Sequence, residues 1–243
     1  MENVANRSVW NMEIKFSRLA SFISANHKAG RPYLVGVDGM SAVGKSTFSE
    51  RLGKAMAAEN LAYSIIPMDD LFSIELHQQE KDSLYPGFDM EWIRSEIISP
   101  LKDGKTVKFR RYDKISKSMA EVREIPGNII IIIEGIFTTG RLLGDYLDLR
   151  IWLDCPRETV LERGEIRSGE PRSDWESKWL PAEDAYITRE ASSMTSDLTV
   201  DSTWQEKEGT FMSTLTRNPG PFRIKPPDKA VIINLTSFYL CSL

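Results

Sequence analysis

The chain has 243 residues, with 31 Lys and Arg against 35 Asp and Glu, which is enough for one large α/β domain and too little for two comfortable ones. Its mild acidity, with no basic block to track a phosphodiester backbone, excludes nucleic acid as an expected partner. Cys155 and Cys241 are too few for a disulfide framework, and His27 and His77 lack metal-ligand spacing. The opening MENVANRSVW has no apolar signal core, and the longest apolar run, the isoleucines at 129–133, is far too short to cross a bilayer. The expectation is a cytoplasmic protein with no membrane association.

Residues 12–25, MEIKFSRLASFISA, space Ile14, Leu19, Phe22 and Ile23 at helical intervals and predict an amphipathic helix beside the core. PYLVGVD then predicts a strand, followed by a glycine-rich loop and a helix, STFSERLGKAMAAEN, with Phe48, Leu52 and Met56 on one face. Further buried strands are predicted at AYSIIPM, NIIIIIEG, LRIWLD and DLTVD, separated by stretches long enough for the crossovers that parallel pairing requires. The fold class is therefore α/β, a doubly wound, mainly parallel sheet with helices on both faces. Insertions at 73–128 and 156–190 interrupt the rhythm, where they can build the substrate side of a site and a lid. The expected organisation is an N-terminal helix within 1–30, a catalytic domain at 31–203 and an extension at 204–243, whose apolar run AVIINL predicts an edge strand.

Gly39, Gly44, Lys45 and Ser46 satisfy the pattern G-x-x-x-x-G-K-[ST] between a strand and a helix. In such a loop the backbone of Gly39, Met40, Ser41, Ala42, Val43, Gly44, Lys45, Ser46 and Thr47 can turn its N–H groups onto phosphate oxygens, aided by the helix dipole. Lys45 would reach the β and γ phosphates and Ser46 would bind Mg²⁺, so the expectation is a P-loop NTPase fold that takes ATP and Mg²⁺. The alternative without chemistry is a glycine-rich turn that only starts a helix.

Other carboxylates and cations fall where they could act on the phosphate. The strand AYSIIPM runs into Asp69 and Asp70 at the carboxyl edge of the sheet, where one of them can accept a proton from an acceptor hydroxyl. Asp69 is the expected base, and Asp70 serves either the site or a turn cap. Glu134 ends the isoleucine strand, placed to hold Mg²⁺ or its waters or else simply solvated. Arg163 and Arg167 lie four apart on one helix face and could close over the transferring group. Glu158, Glu162 and Glu165 offer the alternative of an ion-paired helix surface.

Together with GFDMEWI, RRYD and SDLTVD, these segments resemble the uridine kinase-like family of P-loop nucleoside and small-molecule kinases, from about Arg31 to Asp201. The resemblance implies phosphoryl transfer from ATP to a small-molecule hydroxyl, usually of a nucleoside, riboside or sugar. It makes Asp69 the base, puts Glu134 near the metal, and lines an acceptor pocket with Phe72, Tyr112 and Asp113. Asp89 matches an aspartate that touches acceptor hydroxyls, and it also stands where a helix N-cap would. The histidine and arginine that help uridine-cytidine kinases read a pyrimidine are here Lys117 and Met119, and Arg167 precedes Ser168 where many relatives have aspartate. A second reading is a nucleotide-binding regulatory ATPase acting through a protein partner. The two insertions fit an acceptor pocket and lid better than a switch surface. Oligomeric state is not legible in these residues.

Overall fold

An isoleucine run has no polar face to turn toward water, and the strand it forms, β6 (Ile130–Glu134), is buried along its whole length. The computed structural model describes residues 10–79, 83–169, 171–190, 196–203 and 210–215. Around β6 lie β2 (Tyr33–Gly39), β3 (Tyr63–Pro67), β7 (Leu149–Asp154) and β8 (Leu198–Asp201), all parallel. At the far side β9 (Thr210–Leu215) pairs antiparallel with β8, and β1 (Trp10–Lys15) pairs antiparallel with β9. The sheet order is β1-β9-β8-β7-β2-β6-β3, while β4 (Val107–Asp113) and β5 (Ser118–Ile125) form a separate antiparallel hairpin.

The alternation of a strand divides β6 between two cores. Ile130 and Ile132 join Val35, Val37 and Ile151 in a cluster covered by helices α1 (Phe16–Asn26) and α2 (Lys45–Ala58). Ile131 and Ile133 point the other way, onto Ile93, Ile97 and Ile98 of the helical stretch 90–102 and onto Tyr186 of the helix Leu180–Glu190. Helices therefore cover both faces, as the strand pattern predicts. Among the described residues no helix is long and apolar enough to cross a membrane.

Two details differ from the pattern read along the chain. Ile14, spaced as if helical, lies in β1, and α1 begins only at Phe16. The reason is non-local, since β1 finds its hydrogen-bond partner some two hundred residues away in β9. The strand expected at AVIINL lies outside the described residues.

Parallel register sets the position of the chemistry. Val37 stands opposite Glu134, and Pro67 stands opposite Glu134 on its other side, so the loops after β2, β3 and β6 leave the same sheet edge side by side. The helix α2 is held against this sheet by Leu52 and Met56, both fully buried. Between them Gly53 lets the helix approach β3. A Cβ there would lie 2.6 Å from Cε2 and 2.8 Å from Cζ of the Tyr63 ring. Gly53→Ala, which in a free helix would stabilise by about 1 kcal/mol, should lower stability here by about 1–3 kcal/mol. The urea midpoint measures this, and a raised midpoint would mean that Tyr63 gives way freely.

Candidate active site

The loop after β2 is shaped by backbone conformations that side chains resist. Gly39 has φ +142°, and a Cβ on it would sit 2.4 Å from the Leu153 carbonyl oxygen. Gly44 has φ +104° and precedes the first turn of α2. The loop is anchored on both sides by carboxylates. Asp38, fully buried, accepts hydrogen bonds from Gly39 N at 2.7 Å, Thr139 N at 2.8 Å, Thr139 Oγ1 at 2.9 Å and Tyr186 OH at 2.6 Å. Glu183, one turn before Tyr186, accepts from Ser41 N at 2.9 Å. Burial pushes both carboxyls above their ordinary range, against the lowering effect of these donors.

Inside the loop Lys45 Nζ donates to the carbonyls of Gly39 at 2.9 Å and Met40 at 2.8 Å. Ser46 Oγ donates to Glu134 Oε1 at 3.0 Å, which joins the loop to the end of β6. Glu134 is 6 % exposed, and desolvation raises its pKa more than Lys45 and Ser46 lower it. Beyond Glu134, the turn Met68–Leu71 buries Met68 and Leu71 and so drives the two aspartates between them in different directions. Asp69 is exposed and pairs with Lys114 Nζ at 2.6 Å. Asp70 is half-buried against Arg123, whose Nη1 lies 2.6 Å from it and whose Nη2 donates to the Ile65 carbonyl at 2.8 Å.

The residues 41–47, Asp69, Glu134, Arg163 and Arg167 line one cavity of about 600 Å³, together with Lys114 and Asp201. Both arginines come from the helix Arg157–Ser168. Arg163 donates to the Ser202 carbonyl at 2.8 Å and the Val43 carbonyl at 3.4 Å, while the Arg167 guanidinium lies over the Trp175 ring. Of the acidic neighbours, Glu158 pairs with Arg172.

The sequence-predicted acceptor residues stand outside this lining. Phe72 packs on Tyr112 at 5.3 Å and on Phe88 at 5.6 Å, with Tyr112 buried. Asp89 caps its helix, accepting from Trp92 N at 2.9 Å. Asp113 accepts from Ile115 N and Ser116 N, and these amides, Ser116 first, hold its carboxyl below the usual range. Asp38, Lys114, Arg123 and Glu183 escaped the sequence reading. Only Asp38 had a local signal, a carboxylate inside an apolar strand next to the loop.

The sequence profile of the Phosphoribulokinase / Uridine kinase family matches residues 34–172, more than half of the chain. The chain belongs to this family. Similar proteins include uridine-cytidine kinase B of Dictyostelium discoideum, 28 % identical over 172 residues that cover 64 % of this chain and 70 % of that one. A uridine kinase of Clostridium novyi is 29 % identical over 145 residues, covering 56 % and 68 %. Among solved structures, a possible uridine kinase from Bacillus stearothermophilus superposes with a TM-score of 0.62 at 22 % identity, covering 76 % of this chain and 96 % of that one. The fold is the P-loop NTPase fold, and the protein is an ATP-dependent small-molecule kinase, a phosphotransferase with an alcohol group as acceptor. The regulatory ATPase reading gains nothing from these matches.

The burial of Glu134 in this kinase has a measurable cost. Its carboxyl is raised above 4.5 in the folded chain, so the stability tied to it is complete below the ordinary carboxylate range and is lost as pH rises through the folded value. Glu134→Gln is neutral at every pH and can still accept from Ser46. The variant should unfold later than wild type at about pH 7 without ligand, with the gap shrinking as pH falls toward 4.5. Thermal unfolding across pH tests this, and an earlier-unfolding variant at neutral pH would contradict it.

Proposed function

We propose that the kinase transfers the γ-phosphoryl group of ATP to a hydroxyl of a nucleoside, riboside or sugar, with Asp69 taking the hydroxyl's proton. The observation that carries this reading is the convergence on one cavity of the phosphate loop and an exposed carboxylate from a neighbouring strand end. The acceptor oxygen attacks the γ phosphorus, the bond from that phosphorus to the β-phosphate's bridging oxygen breaks, and ADP leaves. The hydroxyl proton passes to Asp69, which must lie within hydrogen-bond reach of it.

Lys45 exchanges the Gly39 and Met40 carbonyls for phosphate oxygens, and the loop amides supply the rest of the cradle. Arg163 ties the loop to the end of β8, and Arg167 faces the cavity from the lid side. The donors Ser46 and Glu134 suit Mg²⁺, being hard oxygens 3.0 Å apart with a buried carboxylate that a cation would relieve. Bound there, Mg²⁺ would offset the charge of the β and γ phosphates. Asp70 contributes through the docking of the hairpin by Arg123.

Two measurements test this. Addition of the right acceptor should raise ADP production at least ~10-fold, because the acceptor completes the site. Asp69→Asn should retain ATP binding while transfer falls by roughly 10²- to 10⁴-fold. Asp70→Asn should act mainly on stability, since it leaves Arg123 without its charge partner. A larger loss of turnover in folded Asp70→Asn than in Asp69→Asn would assign the base to the wrong aspartate.

A further inference from the structure

The cavity runs well past the phosphate loop on the side away from Asp69. Asp69 follows β3, the loop follows β2, and Val200, Asp201 and Ser202 lie at the end of β8, all of them on the same lining. In the order β8-β7-β2-β6-β3 the loop stands two strand spacings from each flank, about 10 Å either way. A nucleoside triphosphate held in the loop with its γ phosphorus turned to Asp69 therefore extends its nucleoside toward β8.

Two helices meet the cavity at that end. Phe16 opens α1, and its ring packs on Phe48 of α2 at 5.1 Å. Arg51 follows Thr47 by four residues on α2, so it shares a helix face with the last residue of the loop, about 6 Å further along the axis. The end of β8 is tied down as well. Asp201 Oδ1 accepts from Thr203 N at 2.9 Å and Thr203 Oγ1 at 2.6 Å, and Arg163 links the Ser202 carbonyl to the Val43 carbonyl of the loop.

The side chains gathered there suit a heteroaromatic ring better than further phosphate. The Phe16–Phe48 pair is apolar, and Asp201 repels an anion but can accept from an exocyclic amino group. Arg51 supplies a flat cationic face for stacking and in-plane donors for ring nitrogens. Phe16 and Val200 to Ser202 also lie outside residues 34–172, so segments beyond the family-matched stretch build this end of the cavity.

We infer that Arg51, with the Phe16–Phe48 pair and the end of β8, seats the adenine base of the donor, which makes Arg51 a specificity-determining residue. The inference rests on the kinase reading, with transfer at Asp69, and it deepens the donor side of that reading.

Calorimetric titration without acceptor tests it, comparing the β,γ-imido analogue of ATP with inorganic tripolyphosphate, each with Mg²⁺. The wild type should bind the analogue at least ~10-fold more tightly, the scale of one desolvated stacking contact. Arg51→Met, which keeps the aliphatic stem, should weaken the analogue by about 10-fold and leave tripolyphosphate within about 3-fold, which also shows that the loop is intact. Arg51→Lys should stay closer to Arg51→Met than to wild type for the analogue, because an ammonium has charge without the flat face. Unchanged binding of the analogue by Arg51→Met, or a wild type that binds both ligands alike, would overturn the inference and leave the kinase reading standing. Equal weakening of both ligands, rescued by Arg51→Lys, would overturn it too, since Arg51 would then serve the phosphates. A wild type that binds neither would count against the kinase reading itself and take the inference with it.

Discussion

The geometry of the site depends on the buried carboxylate of Asp38. It stands at the end of β2 with no access to water, where only hydrogen-bond donors can offset the cost of its burial. The donors come from three places: the first glycine of the phosphate loop, Thr139 in the turn after β6, and Tyr186 in the helix Leu180–Glu190. A carboxylate satisfied in this way tolerates little displacement, because moving any donor leaves a polar atom unpaired in a dry interior. The loop, the sheet edge and the helix Leu180–Glu190 are therefore held in one register. The same helix reaches further, with Glu183 on Ser41 N and Glu190 accepting from Arg141 N at 2.7 Å and Tyr85 OH at 3.3 Å.

From that frame the two adjacent aspartates acquire different work. Met68 and Leu71 are buried on either side of them, so the turn cannot rotate to present both carboxylates to the cavity. The one turned inward binds Arg123 and docks the hairpin, and the one turned outward meets the hairpin's lysine. In the proposed mechanism, structure and chemistry are thus divided between neighbours in the chain. The half-buried pair of Asp70 and Arg123 leaves a charge without its partner if either is removed, whereas the exposed pair can open for a ligand at little cost.

What could be read in the sequence was local. The parallel strands, the glycine loop with Lys45 and Ser46, and the carboxylates at the ends of β3 and β6 all follow from short patterns, because each is dictated by neighbours along the chain. The arginine pair on the helix Arg157–Ser168 follows from helical spacing. Partners brought together over long separations were not legible. Lys114 facing Asp69, Arg123 on Asp70 and Glu183 on Ser41 are separated by 45, 53 and 142 residues and carry no motif. Strand β1 departs from the sequence pattern for the same reason, since its apolar spacing admits a helix and its neighbour in the sheet, β9, lies far along the chain. Phe72, Tyr112 and Asp89 show the converse, side chains that the family resemblance sets at the acceptor and whose visible contacts are packing and capping.

The central claim is that the phosphoryl group passes to an alcohol oxygen in a site that keeps water from competing. The most direct measurement is phosphorus NMR of a turnover run in water enriched in the heavy oxygen isotope, with ATP and a stimulating acceptor. The account predicts that a phosphate ester of the acceptor accumulates in step with ADP and carries no heavy oxygen. Inorganic phosphate bearing the heavy isotope, formed as fast as ADP, would mean that water is the acceptor and would contradict the account.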